Sequence, residues 1–423
     1  MTGVEAENGA HRSPEGSPPT QALELIAAAD LEAARAAVAA VAVRTPTITC
    51  PDLAAELGSA VALKAECLQM TGSFKLRGVL TRVAALGERA ERGLVTASAG
   101  NHARAVAQAA RLRGVGCEVF MPRDAPVSKV LAVESLGASV RLEGSSVDDT
   151  LEQALLLAEQ TGAAFIHPFD EIEVIAGQST VGIELLEDVP DLARVVVPVG
   201  GGGLAGGIGI ALRRAGREVE LVGVQAAACA PYRDALAGRP MERHSAVTIA
   251  DGVAVKRPGA LTLPLLRELL DRLMVVDDEQ IADAMVFLAD HAKLVAEGAG
   301  AVAVAALLSG ELPPVAGTTV AIVSGGNVDS GLLASLLLRH ETEEGRRVRI
   351  FTRVPDRPGG LAELLGLIAS ARANVVSVEH LREAVPLHVR ETAVELTLET
   401  RGPGHTEEVL GLLAGGGYEA RVD

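Results

Sequence analysis

Val195-Val196-Val197-Pro198-Val199-Gly200-Gly201-Gly202-Gly203-Leu204-Ala205-Gly206-Gly207-Ile208-Gly209-Ile210-Ala211-Leu212 is the stretch whose reading decides the fold. It carries no charge and is long enough to raise the question of a membrane span. Seven glycines, four of them consecutive, and Pro198 argue against that, because too few bulky apolar side chains remain. The pattern is instead a β-branched strand, a glycine loop and a helix. A strand that ends on glycines opening a helix is the repeating unit of an α/β fold with a largely parallel sheet. In such sheets ligands sit beyond the carboxyl ends of the strands, where these glycines lie.

The same alternation extends outward in both directions. Strands are expected at 61–65, 93–97, 117–121, 139–142, 164–167, 194–199, 220–224 and 319–323. Helices are expected at 23–43, 103–113, 126–136, 147–160, 174–186, 263–273, 278–293 and 298–309, from apolar spacing and terminal glycines or prolines. After 338 the character changes: 339–347 is highly charged and reads as a linker. Residues 348–423 read as a separate small βαββαβ domain, whose segment 392–399 alternates as a half-exposed strand should.

A chain of 423 residues has room for two or three domains, and 48% hydrophobic content supplies a sizeable core. The formal net charge of −17 and the absence of a basic run exclude nonspecific nucleic-acid binding. Cys50, Cys67, Cys117 and Cys229 are scattered, so neither a disulfide framework nor a zinc site is expected, and a reducing cytoplasm fits. Residues 1–22 are polar, without the apolar run of a signal peptide, and read as a disordered tail.

Three further loops carry chemistry. In Thr71-Gly72-Ser73-Phe74-Lys75-Leu76-Arg77-Gly78 a lysine sits between glycines; such an amine, kept from water, loses its proton and attacks carbonyls. The bland reading is a solvated surface lysine. Thr96-Ala97-Ser98-Ala99-Gly100-Asn101-His102 leaves a strand and opens a helix, so its amides suit a carboxylate; an ordinary cap by Ser98 or Asn101 is the alternative. Gly200, Gly201, Gly202, Gly203 and Leu204 offer unhindered amides to a phosphate. They also satisfy G-x-G-x-x-G, but the following strand ends Val224-Gln225-Ala226 without the acidic residue of a dinucleotide site. In Val323-Ser324-Gly325-Gly326-Asn327, after the last strand, a serine hydroxyl is placed to meet a ring nitrogen, or merely to cap a turn.

Lysine, phosphate loop, carboxylate loop and hydroxyl are together what pyridoxal phosphate chemistry requires. Ser73–Gly78, Ser98–His102, Met121–Lys129, His167–Asp170, the tetraglycine, Ala250–Gly259, Glu297–Ala301 and Ser324–Asn327 resemble, in order, the motifs of threonine dehydratases of the tryptophan-synthase-β fold. The resemblance covers about 25–335. The Asp356-Arg357-Pro358-Gly359 loop and the βαββαβ order resemble an ACT regulatory domain.

The resemblance implies a two-subdomain pyridoxal-phosphate fold of type II over 23–338, with a small subdomain inserted at about 62–168, and an ACT-like domain at 348–423. It implies that Lys75 forms the Schiff base with the cofactor and later takes the α-proton. Phe74 would lie beside the ring, Gly200–Leu204 on the phosphate, Asn101 on the ring 3′-hydroxyl and Ser324 on the ring nitrogen. Ser98, Ala99, Gly100, Asn101 and His102 would hold the substrate carboxylate. The implied reaction is deamination of L-threonine to 2-oxobutanoate, and of L-serine to pyruvate, by a homo-oligomer (dimer or tetramer), with isoleucine or valine acting through 356–360. A structural dimerisation module is the alternative for that domain.

Departures from the pattern narrow the reading. Serine racemases resemble this family but carry a second serine where Ala99 stands, and alanine moves no proton. Gln225, Cys229 and Pro231 stand where related enzymes place carboxylates for a divalent cation, so no metal is expected. Ser179 replaces a glycine of the usual pattern, and would cost energy if the backbone there needed positive φ. A serine dehydratase, a racemase-type enzyme and a nonenzymatic amino-acid sensor are the competing functions; retention of Lys75 argues against the last.

Overall fold

The computed structural model describes residues 21–144, 147–240, 247–381 and 390–422. Most of the expected tail, 1–20, lies outside them. The chain divides into two compact units, Met1–Val328 and Asp329–Asp423.

Among the described residues the first unit holds ten strands: β1 (Thr47–Thr49), β2 (Val61–Ala65), β3 (Leu94–Ala97), β4 (Cys117–Met121), β5 (Ser139–Leu142), β6 (Ala164–Phe165), β7 (Leu192–Pro198), β8 (Glu220–Ala226), β9 (Arg272–Val276) and β10 (Thr318–Val323). They form two sheets, one in the order β1-β2-β10-β7-β8-β9 and one in the order β5-β4-β3-β6. Only the β1–β2 pair is antiparallel; the remaining pairs of both sheets are parallel. β7 runs near the middle of the larger sheet with Val195, Val196 and Val197 wholly buried, each worth about 1.5–3 kcal/mol of apolar burial. The opening stretch is thus strand, loop and the helix Gly203–Arg214. No helix among the described residues is long and apolar enough to cross a membrane.

Several expectations need correction. β2 belongs to the larger sheet, so the smaller sheet starts at Leu94 rather than near 62. The single helix expected at 23–43 is two, Gln21–Ala28 and Leu31–Ala39, because the Asp30 side chain accepts from the Ala33 amide and starts the second. The helix expected at 263–273 ends at Leu269, and Arg272–Val276 is the edge strand β9. The helix expected at 278–293 stops at Phe287; a π-turn follows, closed by Lys293 at φ 56°.

Three helices stack through glycine. Lys75–Leu86 packs on Ile172–Asp188, where a Cβ on Gly177 would come 2.5 Å from the Gly78 Cα. Ile172–Asp188 packs in turn on Gly203–Arg214, where a Cβ on Gly207 would lie 2.5 Å from the Ile175 oxygen. Ser179 lies inside the middle helix with its hydroxyl donating to Ala176 O at 2.5 Å, and its φ is not positive. The replacement therefore carries no backbone strain.

The second unit contains the helix Ser330–Glu343, then β11 (Arg347–Pro355), the helix Gly360–Ser370, β12 (Asn374–Leu381), β13 (Glu391–Glu399), the helix Pro403–Gly415 and β14 (Arg421–Val422). Its antiparallel sheet has the order β12-β13-β11-β14. From β11 onward this is the βαββαβ order read from the sequence. The stretch expected as a linker, 339–347, is mostly the last turns of the helix Ser330–Glu343, where Arg339 pairs with Glu343 at 2.7 Å.

Candidate active site

Gly72, at φ +76°, turns the chain immediately before the lysine-bearing helix. The loop it makes is pinned to the loop after β10: Ser73 and Gly325 form a bridge, Phe74 N donates to Ser324 O at 3.1 Å, and Gly326 N donates to Gly72 O at 2.8 Å. Lys75 is therefore held beside Ser324. Its Nζ donates to Pro168 O at 2.9 Å and lies 5.1 Å from the centre of the Phe74 ring. Burial pushes the amine down to about 8, against the charge of Glu297, which pulls it up. Two residues on, Arg77 is wholly buried between Glu66 and Glu184, with ion pairs of 2.8 and 2.6 Å, and anchors the helix that carries the lysine.

The turn His167–Asp170, after β6, ties the loops together. His167 Nδ1 accepts from the amides of Phe169 and Asp170 at 3.3 and 2.8 Å. Burial lowers this imidazole to about 4, consistent with a neutral acceptor. Pro168 receives Lys75. Phe169 fills the space beside the glycine loop, since a Cβ on Gly201 would run into its ring. Asp170 accepts from the amides of Ala260, Leu261 and Thr262 at 2.8, 2.9 and 3.1 Å, capping the helix Thr262–Leu269.

The glycine loop has its own braces. Tyr232 donates its hydroxyl to Gly201 O at 2.8 Å, and Gly202 takes φ +84°. Among the described residues, the amides of Gly200, Gly201, Gly202, Gly203 and Leu204 donate to no protein acceptor. They stand at a helix N-terminus, where the macrodipole favours an anion. A dinucleotide's acidic partner is missing: Gln225 donates instead to Val199 O at 3.3 Å and accepts from Arg233 N at 3.0 Å. No metal-ligating cluster occurs among the described residues.

The carboxylate loop opens the helix Asn101–Arg113 with Gly100 at its N-cap, and among the described residues neither Ser98 nor Asn101 accepts from a first-turn amide. Ser98 Oγ accepts from Gly100 N at 3.2 Å, and the amides of Ala99, Asn101 and His102 have no acceptor among the described residues. His102 Nε2 donates to Ile166 O at 3.0 Å, and burial lowers it to about 3. Asn101 Nδ2 donates to Glu297 Oε1, and Asn101 Oδ1 accepts from Asn327 Nδ2 at 2.7 Å. Ser324 donates to Ala299 O at 3.1 Å. Glu297 is buried, and burial, helped by Asp251, pushes its carboxyl up to about 7.

Lys75 and the tetraglycine thus meet at 167–170, and Asn101 and the lysine loop meet at 324–327. Sequence reasoning quoted Glu297, Asn327 and His167–Asp170 as motif members but gave them no task. A glutamate opening a helix reads as a solvated first-turn acid, and only the fold brings it onto Asn101.

A cradle of free amides beside a desolvated amine fits pyridoxal phosphate. The pyridoxal-phosphate dependent enzyme family matches residues 38–325, and the chain belongs to that family, with pyridoxal phosphate as its cofactor. Among similar proteins, the L-threonine ammonia-lyase of Thermotoga maritima is 45% identical, over 94% of this chain and 100% of its own. A threonine deaminase structure from T.th. superposes with a TM-score of 0.66 at 40% identity, covering 71% of this chain and 97% of that one. Maize serine racemase superposes with a TM-score of 0.67 at 34% identity, covering 73% and 98%. The first unit is the two-subdomain type II fold, and the second is ACT-like in its strand order.

Proposed function

We propose that this chain is an ammonia-lyase that converts L-threonine to 2-oxobutanoate and ammonia, and L-serine to pyruvate and ammonia. The observation that carries the reading is Lys75, an amine lowered to about 8 and held at the meeting point of three loops. The likeness to a threonine ammonia-lyase over nearly the whole chain supports the substrate.

Bound pyridoxal phosphate would supply an electron sink for charge developing at the substrate Cα. Lys75 is the residue to which it attaches, with Phe74 beside its ring. The amides of Gly200, Gly201, Gly202, Gly203 and Leu204 would take its phosphate, Asn101 its ring oxygen and Ser324 its ring nitrogen. Ser324 must turn its hydroxyl away from Ala299 O to donate there. Because serine is not an acid, it would leave that nitrogen mostly unprotonated, which would favour quick elimination. The amides from Ser98 to His102 hold the substrate carboxylate. Lys75, whose lowered amine keeps a neutral fraction at physiological pH, takes the α-proton, and the Pro168 oxygen holds its amine in place. The β-hydroxyl leaves as water by gaining one proton, which balances the one Lys75 takes from Cα, and hydrolysis yields the oxo acid and ammonia.

Ala99 argues against a racemase, since it has no group to return a proton from the opposite face. Isoleucine or valine acts through 356–360 as a feedback effector of a dimer or tetramer, in a cytoplasm whose reducing poise suits the four free cysteines.

The test is release of 2-oxo acid from L-threonine and L-serine, with and without isoleucine and valine. Release by the wild-type protein and none by Lys75→Ala is the expected result. No release by the cofactor-supplemented wild type overturns the lyase. A rate and assembly indifferent to both effectors overturn the feedback.

A further inference from the structure

We propose that Glu297 and Asn327 are positioning residues for Asn101: they fix which end of its side-chain amide is offered to the cofactor ring. This rests on the reading of Asn101 as a donor to that ring. The two ends of an amide have nearly the same shape, and only hydrogen-bond partners tell them apart. Asn327 Nδ2 donates to Asn101 Oδ1 at 2.7 Å and to Thr71 O at 2.8 Å, so both its hydrogens are committed. Asn101 Nδ2 donates to Glu297 Oε1, which leaves one hydrogen on that nitrogen. Turned over, the Asn101 amide would set its oxygen against the ionised Glu297 carboxylate and its nitrogen against the Asn327 nitrogen, whose hydrogens Thr71 O holds in place. Both contacts would fail, so one orientation is selected from two sides.

The surrounding glycines are shaped to these side chains. A Cβ on Gly325 would collide with Glu297 Oε1 and stand 3.1 Å from Asn101 Nδ2, and a Cβ on Gly72 would stand 2.5 Å from Asn327 Oδ1. Gly325 and Gly72 belong to the serine loop and the lysine loop, so both loops leave room for the three side chains. Glu297 itself is fixed by its backbone, whose N donates to Gly325 O at 3.1 Å. Asn101 opens a helix packed with the smaller sheet, whereas Glu297 and Asn327 adjoin the end of β10 in the larger one. The orientation is therefore imposed on one subdomain by the other.

The experiment is a double-mutant cycle on the affinity for pyridoxal phosphate, read by the visible absorbance of the lysine-bound cofactor in the full-length protein. Asn101→Ala and Glu297→Ala are each expected to weaken binding by about tenfold, roughly one charge-assisted hydrogen bond. With Asn101→Ala already present, Glu297→Ala should cost under about twofold, because its effect passes through Asn101. Asn327→Ala should follow the same pattern, and stands in should Glu297→Ala fail to fold. Losses that add in full, or unchanged affinity in Glu297→Ala or Asn327→Ala while Asn101→Ala is weakened, overturn the proposal. Unchanged affinity in Asn101→Ala removes its premise and overturns it too. Failure of the lyase reading looks different: the wild-type protein then shows the visible band but releases no 2-oxo acid from L-threonine or L-serine.

Discussion

At the scale of single residues, Lys75 reports its environment through pH. Burial lowers its amine to about 8 from the ordinary 10.5, so the folded protein holds the reactive neutral form at lower pH than a free lysine does. Below pH 8 the neutral fraction falls with each unit, so the attachment rate of pyridoxal phosphate should drop about tenfold per unit. Above it the rate should level off; stopped-flow absorbance from pH 6 to 9, about the stable range of such a protein, checks this. A rate still climbing steeply at the top of that range would mean a solvated lysine. Arg77 makes a second prediction. Arg77→Met leaves Glu66 buried without its charged partner and Glu184 with Lys64 alone, and should cost about 3–5 kcal/mol in urea unfolding. Lys75 was legible because S-F-K-x-R-G is distinctive. The work of Glu297 was not, because its partner lies about 200 residues away in sequence.

At the scale of elements, glycine sets how closely the three stacked helices approach. Gly177→Ala would put a methyl 2.5 Å from the Gly78 Cα and 2.6 Å from the Arg77 oxygen, both backbone atoms that cannot swing aside. The expected loss is about 1–3 kcal/mol from overpacking, together with weaker cofactor binding, because the displaced helix carries Lys75. Chemical denaturation and absorbance titration of the same variant check both. The parallel strands were readable as branched runs ending at glycines. β9 was not: Arg272–Val276 follows the leucine-rich helix Thr262–Leu269 so closely that the helical spacing runs on into it. Only pairing with β8 commits it to the sheet.

At the scale of the whole molecule, the matched family spans 38–325, which ends just before the first unit does at Val328. Removal of 329–423 should therefore leave threonine deamination in place, because a compact unit with its own core folds alone, and abolish any response to isoleucine or valine. Initial rates on the shortened chain, with and without those amino acids, check this. The second unit's succession of strands and helices along the chain was legible from alternation and its proline-glycine loop. Its true start was not, because the charges at 339–347 sit on the end of a helix and look like a linker. The His167–Asp170 turn of the first unit bears on how such enzymes can be recombined. It answers to three neighbours: the lysine, the tetraglycine and the Thr262 helix. Grafting that tetrapeptide alone from a distant homologue separates it from all three at once. Shuffled libraries with crossovers flanking it should yield fewer functional offspring than libraries cut at the open Gly114–Gly116 corner, where a Cβ meets nothing within 4 Å.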